Sequence, residues 1–149
     1  MTSKAQTKAE APSRSPEQRR ASHALRAVQD LPQDAELRKL YRAYTDRLGP
    51  AILMNGLGQA LATERAASGN KPDESDTRKC AHARLYRNLQ AWLCGEARVY
   101  PQGDLLTEIV KGPESRYLQA QTEALAWLTW HKKLCRAELP APEPGQVDP

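Results

Sequence analysis

Three histidines and three cysteines are the residues of this 149-residue sequence best suited to bind a metal or to act as nucleophiles. No histidine has a partner at a metal-ligand spacing such as H-E-x-x-H, and no cysteine belongs to a C-x-x-C pair. The odd number of cysteines also argues against a disulfide framework. We therefore expect no metal and no cofactor. The six residues are His23, His82, His131, Cys80, Cys94 and Cys135.

The neighbours of these side chains favour structural roles. His131 lies close to Trp127 along a helical pattern, which is typical of a half-buried packing histidine. Cys94 and Cys135 lie on or next to apolar stripes, where buried thiols are inert. The sequence has no G-x-S-x-G nucleophile elbow, and NGLGQA at 55–60 has the wrong glycine spacing for a nucleotide-binding loop. We predict that the chain is not an enzyme and has no catalytic residue.

Helical periodicity accounts for residues 15–139, and no strand pattern of period two occurs. The absence of Phe and the aromatic content of only 5% favour a thin core between helices over a sandwich or barrel. We predict an all-α fold, a single compact bundle of about five or six helices. The predicted helices run from Ser15 to about Asp30, from near Asp34 to Gly49, from Pro50 to about Ala67, from about Arg78 to Gly95, from Asp104 to about Lys111, and from Pro113 or Glu114 to about Leu139.

Each predicted helix has an apolar stripe that we assign to the core. The helix that starts at Pro50 has two stripes, and the second is smooth enough for another helix to approach closely. Its first stripe is Leu53, Leu57, Ala60 and Leu61, and its smooth stripe is Gly56, Ala60, Thr63 and Ala67. The other core positions are Ala21, Ala24, Leu25 and Val28; Leu37, Leu40, Tyr41, Tyr44 and Leu48; Ala81, Leu85, Leu89, Trp92 and Leu93; and Tyr117, Ala120, Ala124, Trp127, Leu128 and Leu134.

Both ends of the sequence have the composition of disordered tails. Residues 1–14 and 140–149 are rich in Ser, Pro, Ala and charged residues and contain almost no large apolar side chains. We therefore place one helical domain at 15–139. No signal-peptide pattern opens the chain, and its longest apolar run is too short to span a membrane. We expect a cytoplasmic protein that does not bind a membrane.

The basic residues could form a phosphate-binding surface. The formal net charge is +4, and fourteen of the 22 basic residues are Arg, the type that binds phosphate with two parallel hydrogen bonds. For any one cluster, a solvated helix face is the default interpretation. If several clusters converge on one side of the bundle, they would form a stripe for phosphates. The clusters are Arg38, Lys39 and Arg42; Arg84 and Arg87; and Lys132, Lys133 and Arg136.

Three tryptophans could stack on bases or pack in the core. Trp92 and Trp127 lie within apolar stripes, so we assign both to the core. Trp130 is less well aligned with its stripe, and we interpret it as an exposed anchor for a protein partner.

Several motifs, in this order, resemble the small subunit of type III-B CRISPR effector complexes, the Cmr small-subunit family. They are an arginine-containing first helix, a second helix of the form Y-x-x-Y that ends in Leu-Gly-Pro, and the segment ILMNGLGQALA at 52–62. A tryptophan-bearing helix, LQAWL, and the closing segment YLQAQTEALAWLTWHKKLCRAEL at 117–139 complete the pattern. The resemblance covers nearly all of residues 15–139.

The resemblance implies a non-catalytic helical subunit of an antiviral ribonucleoprotein. Such subunits stack head to tail as a minor filament beside the backbone subunits, touch the large subunit at one end, and line the channel for the crRNA and target RNA duplex. Single-stranded DNA is a further candidate ligand. RNA cleavage, DNA cleavage and cyclic oligoadenylate synthesis then belong to other subunits. As a free chain we expect a monomer.

On this interpretation we predict contacts to the nucleic-acid backbone without sequence readout. We also predict that a second set of residues packs within the chain or against a neighbouring subunit. For one of them, Asn55, direct contact with RNA remains an alternative. A rival hypothesis is a free-standing helical adaptor that binds a protein partner without nucleic acid. The predicted RNA-binding residues are Arg42, Arg84, Arg87, Lys132, Lys133 and Arg136, with Arg19 and Arg20 in reserve. The packing set is Asn55, Gly56, Leu57, Gln59, Ala60, Trp127 and Trp130.

Overall fold

Six α-helices and one π-helical turn form the chain in the computed structural model, which describes residues 12–69 and 75–145. No strand occurs among these residues, so the predicted all-α fold is confirmed. Residues 1–11 and 146–149 of the predicted tails, and 70–74 of the loop before the fourth helix, lie outside the described residues. The helices are α1 (Pro16–Gln29), α2 (Ala35–Asn55), α3 (Leu57–Ser68), α4 (Thr77–Ala91), α5 (Leu105–Lys111) and α6 (Glu114–Glu138), and the π-helical turn Trp92–Glu96 follows α4 directly.

The bundle is built around α2, which packs against both α4 and α6. α1 packs along α6, and α3 packs against α2 and α4. Four helices begin at a polar cap, because Ser15, Asp34, Asp76 and Asp104 each accept a hydrogen bond from a backbone N–H group of the first turn. Asp104 caps α5 as the sequence predicted.

The apolar stripes predicted from helical periodicity form most of the core. All five predicted core positions of α2 are buried. The five positions of the stripe that starts on α4 and ends in the π-helical turn are also buried. On α1, Ala27 is buried while Ala21 and Leu25 are only half-buried. On α6, Tyr117 and Leu134 are half-buried and pack against the edge of the core. The core is therefore the layer between helices that the low aromatic content indicated.

The predicted helix boundary at Gly49 and Pro50 is wrong. α2 continues through both residues and ends at Asn55. Proline inside a helix removes one hydrogen bond, and its ring disfavours helical backbone at a preceding residue that has a Cβ. Gly49 has no Cβ, so the second conflict is relieved. Because the helix continues past Pro50, Leu53 is 72% exposed, and its predicted place in the core is also wrong.

Gly56 is the actual break between α2 and α3. Its φ of 86° and ψ of 159° lie in a region open essentially only to glycine. A Cβ at Gly56 would lie 2.9 Å from the hydroxyl oxygen of Tyr117 on α6. The next amides bond to the same helix, since Leu57 N donates to Gln121 Oε1 at 3.0 Å and Gly58 N donates to the Tyr117 hydroxyl at 3.2 Å. α6 thus approaches closely here, against a broken helix instead of a continuous one.

Replacing Gly56 with Ala should lower the free energy of unfolding by about 2 kcal/mol, because the side chain would be strained at this φ and would collide with Tyr117. Urea denaturation of the free chain measures this. Gly95→Ala is the matched control, since Gly95 has no positive φ and its Cβ would meet no heavy atom within 4 Å. A Gly56→Ala chain as stable as the wild type would contradict this account of the break.

A chain of hydrogen bonds, buried except at its half-buried Asn88 end, joins four helices. Asn88 Nδ2 on α4 donates to the hydroxyl of Tyr41 on α2 at 2.8 Å. The Tyr41 oxygen lies 2.6 Å from Nε2 of His131 on α6, and His131 Nδ1 lies 3.0 Å from the carbonyl oxygen of Ala24 on α1. Trp127 stacks on the His131 ring with centroids 4.2 Å apart. His131 is fully buried, so the predicted half-buried position is wrong.

The partners of His131 determine which ring nitrogen carries the proton, and burial keeps the ring neutral. The Ala24 carbonyl can only accept, so Nδ1 carries the proton. Nε2 of the neutral ring then accepts the Tyr41 O–H hydrogen bond. Burial lowers the pKa of His131 to about 3, although the bond to the Ala24 carbonyl opposes this shift. The histidine is therefore neutral throughout the physiological pH range.

The stability of the chain should fall below about pH 6.5, where His131 becomes protonated in the unfolded chain but stays neutral in the fold. This contribution is complete above the unfolded pKa and is lost as pH falls towards the folded pKa. Between about pH 6.5 and 5 the loss should reach about 2 kcal/mol relative to His131→Gln, which cannot titrate. Denaturant titrations of both proteins test this, and a wild-type-to-variant difference that does not change with pH would contradict it.

Candidate nucleic-acid interface

A groove of about 900 Å³ opens beside α1, α4 and the loop that follows the π-helical turn. We call it the arginine groove, because Arg26, Arg84, Arg98 and Arg116 line it. The acidic side chains in its lining are Asp30 and Glu96. Four permanent positive charges thus face two carboxylates in a concave surface, which concentrates a positive potential.

Three of the four arginines have no hydrogen-bond or ion-pair partner within the described residues. The side chains of Arg84, Arg98 and Arg116 make no hydrogen bond or ion pair within the described residues. Arg26 Nη2 pairs with a carboxylate oxygen of Glu96. The guanidinium groups of the first three therefore keep their hydrogen-bond donors available to a ligand.

The backbone around Arg98 is held in a rarely populated conformation. Arg98 has a φ of 51°, and it is the one non-glycine residue with positive φ in the described part of the chain. The neighbouring amides are tightly bonded, since Val99 N and Tyr100 N both donate to the Leu93 carbonyl, at 2.9 and 3.1 Å. Val99 and Tyr100 are buried, so their burial anchors the strained turn. The turn presents the exposed Arg98 side chain at the groove.

Other ionisable groups add little positive charge to the groove. Burial lowers the pKa of His23, whose Nδ1 accepts a hydrogen bond from Trp127 Nε1 at 2.9 Å. Burial is the largest single influence on the pKa of Glu96 and would raise it, but the hydrogen bond and charge of Arg26, together with the charges of His23 and Arg14, lower that pKa overall. Burial raises the pKa of the Cys94 thiol to about 11, as expected for an inert thiol. At neutral pH the charged side chains that line the groove are therefore the four arginines, Asp30, and Glu96, which is paired with Arg26.

Comparison with known proteins identifies the family. Residues 16–138 match the sequence profile of the family described as "CRISPR-associated protein (Cas_Cmr5)". The chain belongs to the Cmr5 family. It is therefore a small subunit of a Cmr complex in CRISPR defence, together with other Cmr subunits. The resemblance read from the sequence motifs is confirmed.

A solved structure supports the same assignment. The chain is similar to a CRISPR-associated Cmr5 family protein from Thermus thermophilus, solved by X-ray crystallography. The two share 25% sequence identity with a TM-score of 0.65, and the match covers 85% of this chain and 100% of the other. The helical fold described above is thus the fold of a Cmr5 family protein.

The structure does not bring the eight predicted RNA-binding residues of this Cmr5 family member into one cluster. Among them only Arg84 lines the arginine groove. Arg19 Nη2 donates to the Glu96 carbonyl at 2.9 Å, and Arg20 binds Glu123 through two hydrogen bonds of 2.6 and 2.9 Å. Hydrogen bonding to Glu123 raises the pKa of Arg20. Both reserve residues are therefore already engaged in contacts within the chain.

A second basic cluster surrounds Asp46. Arg136 Nε lies 3.3 Å from Asp46 Oδ1, a charge contact and not a hydrogen bond, because that oxygen has no hydrogen-bond partner within the described residues. Lys132 lines the same cleft as Asp46, and Arg42, one turn before it on α2, donates to the Leu139 carbonyl at 3.0 Å. Two of these three cations are already engaged within the chain. Arg87 and Lys133 are exposed.

The predicted packing residues fall into two groups. Leu57, Ala60 and Trp127 are buried, and Gly56 contacts α6. Asn55 and Gln59 are exposed, and neither side chain makes a hydrogen bond within the described residues, so neither packs within the chain through such a bond. Their role against another subunit stays a prediction. Trp130 is half-buried, and its Nε1 donates to Glu17 at 2.8 Å.

Sequence reasoning missed three of the four groove arginines. Arg26 lies on the first predicted helix but outside its apolar stripe, Arg98 lies between the predicted helices that end at Gly95 and begin at Asp104, and Arg116 lies in the first turn of α6. Helical periodicity places each residue on a face of its own element, but the meeting of four separate elements depends on how they pack. The one local signal was the turn chemistry of residues 97–103.

Neither a metal cluster nor a membrane helix is found in the described part of the chain. No group of three His, Cys, Asp or Glu residues within 12–69 and 75–145 could hold a metal ion. No helix in those ranges is long and apolar enough to cross a membrane.

The strain at Arg98 predicts an unusual response to substitution. Arg98→Gly should raise the free energy of unfolding by about 1 kcal/mol, because glycine adopts this φ without steric conflict. Arg98→Val should lower it, since a β-branched residue tolerates this conformation poorly. Thermal and urea unfolding of the free chain measure both. If the three proteins are equally stable, the backbone at Arg98 is not strained.

Proposed function

We propose that this Cmr small subunit holds guide and target RNA in the effector complex by binding their phosphate backbone in the arginine groove. The observation that carries the proposal is a concave surface with three arginines, Arg84, Arg98 and Arg116, that have no side-chain partner within the described residues. Guanidinium groups match the geometry of phosphate oxygens and carry no base-sequence information. Base pairing between guide and target would then supply specificity.

The groove is suited to reversible binding. Arg26 is already paired with Glu96, so a phosphate that binds Arg26 must displace a carboxylate. That competition limits affinity and leaves the three unpaired arginines as the main contacts. Single-stranded DNA has the same backbone charge and is a second ligand for the same surface.

The proposal gives the groove no chemical step. His23 is held neutral by burial and accepts the Trp127 hydrogen bond, and the Cys94 thiol has a pKa of about 11. Neither side chain offers an activated nucleophile or a poised base at neutral pH. We assign cleavage of nucleic acid to other subunits of the complex.

A separate apolar surface suits contact with a neighbouring subunit of the minor filament. Leu53 and Met54 at the end of α2 are 72% and 83% exposed. Leu53 lines a cleft with Pro50, Leu125 and Leu128, which shares no residue with the lining of the arginine groove. Exposed apolar residues beside an apolar cleft are typical of protein interfaces. We propose that a second copy of the chain packs here, head to tail.

Neutralising the groove should weaken RNA binding and its salt dependence. In an assembled complex, Arg84→Gln, Arg98→Gln and Arg116→Gln together should reduce the slope of log affinity against log salt by about 2, because up to three phosphate contacts are lost. Filter binding of target RNA between about 50 and 200 mM salt measures the slope.

The matched control removes the same number of charges at exposed positions outside the groove, with Arg87→Gln, Lys133→Gln and Arg136→Gln. We expect this variant to keep most of the wild-type salt slope. If the control loses slope and the groove variant does not, RNA binds the surface that the sequence predicted, and the groove assignment is wrong. If neither variant changes the slope, the subunit acts only as a scaffold.

A further inference from the structure

Tyr100 has a buried hydroxyl group that finds no hydrogen-bond partner in the part of the chain that the structure describes. The residue is only 2% exposed and lines the arginine groove, yet its Oη finds no donor or acceptor within the described residues. The hydroxyls of Tyr41, Tyr86 and Tyr117 all have hydrogen-bond partners. A buried polar group that is left unsatisfied costs free energy and calls for an explanation.

The ring of Tyr100 is held firmly in place. A Cβ at Gly112, between α5 and α6, would lie 3.2 Å from Tyr100 Cε1, so the ring edge packs closely against that turn. The backbone amide of Tyr100 is bonded to the Leu93 carbonyl at 3.1 Å. The hydroxyl is therefore a pre-positioned donor, and its orientation does not depend on a flexible side chain.

Two of the unpaired arginines line the groove together with Tyr100. Arg98 is two residues before Tyr100, on the strained turn, and Arg116 lines the groove beside Tyr100. Arg116 interacts electrostatically with the Tyr100 hydroxyl: burial raises the pKa of Tyr100, and the charge of Arg116 opposes that rise. A phenol O–H and two guanidinium groups are all hydrogen-bond donors, so together they match an anionic oxygen.

We propose that Tyr100 is a ligand-contacting residue of the arginine groove, and that its hydroxyl donates a hydrogen bond to a phosphate oxygen of RNA bound between Arg98 and Arg116. This inference rests on the proposed function and names one phosphate subsite within it. Because Tyr100 Oη is buried in the unliganded chain, contact requires a small side-chain movement. Arg116 is exposed and has no side-chain partner in the described residues, so it is the group able to move.

Tyr100→Phe separates this role from a structural one, because the substitution removes a single oxygen atom. If the only role of the hydroxyl is to bind RNA, the assembled complex with this variant should bind target RNA about tenfold more weakly. This is the loss expected for one hydrogen bond to a charged group. The melting temperature of the free chain should stay the same or rise, since an unsatisfied buried group disappears.

Tyr86→Phe is the matched control, because Tyr86 is also buried but its hydroxyl is bonded to Asp104 Oδ1 at 2.8 Å and to Leu106 N at 2.9 Å, away from the groove. It should lower the melting temperature and leave RNA affinity unchanged.

Two results would overturn the inference. A Tyr100→Phe complex that binds RNA as the wild type does, while the groove-arginine variant is weakened, would remove the subsite and leave the proposed function intact. A Tyr100→Phe chain that melts at a lower temperature would show that the hydroxyl has a structural partner, such as a buried water. If the arginine variant is also unchanged, the proposed function itself fails.

Discussion

The buried chain of hydrogen bonds from Asn88 through Tyr41 and His131 to the Ala24 carbonyl is the constraint on which the rest of the structure depends. It crosses α4, α2, α6 and α1, and its polar atoms satisfy one another, with Tyr41, His131 and Ala24 fully buried and Asn88 half-buried. A shift of any one helix along its axis would leave buried polar groups unpaired, which is costly. These hydrogen bonds therefore select one relative placement of the four helices, provided that His131 stays neutral.

The arginine groove is a consequence of that placement. Arg84 lies one turn before Asn88 on α4, and Arg26 lies two residues after Ala24 on α1, so the same hydrogen bonds position two of its four arginines. The Trp127 bond to His23 further ties α1 to α6. The other two arginines depend on the π-helical turn, whose Leu93 carbonyl anchors the Arg98 turn, and on the start of α6. Rigid elements thus present four arginines, of which Arg84, Arg98 and Arg116 have no partner within the described residues.

Much of the fold was predictable, because burial of an apolar stripe leaves a helical period in the sequence. The stripes of α2 and α4 and the Asp104 cap depend on nearby residues only, and all were predicted correctly. The predicted boundary at Gly49 and Pro50 was wrong, although glycine is typical of a helix end and proline of a helix start. Because Gly49 has no Cβ, it relieves the steric conflict with the proline ring, and α2 continues. The groove could not be predicted, since Arg26, Arg84, Arg98 and Arg116 are distant in sequence. The motif resemblance indicated the family but not the surface.

The central claim is that RNA lies in the arginine groove while the surface at the end of α2 contacts protein. Photocrosslinking tests it most directly, with a benzophenone side chain placed at Gln102 in the groove or at Met54, in complexes assembled on labelled guide and target RNA. The account predicts RNA adducts from position 102 and protein adducts from position 54. RNA adducts from position 54, with none from position 102, would contradict it.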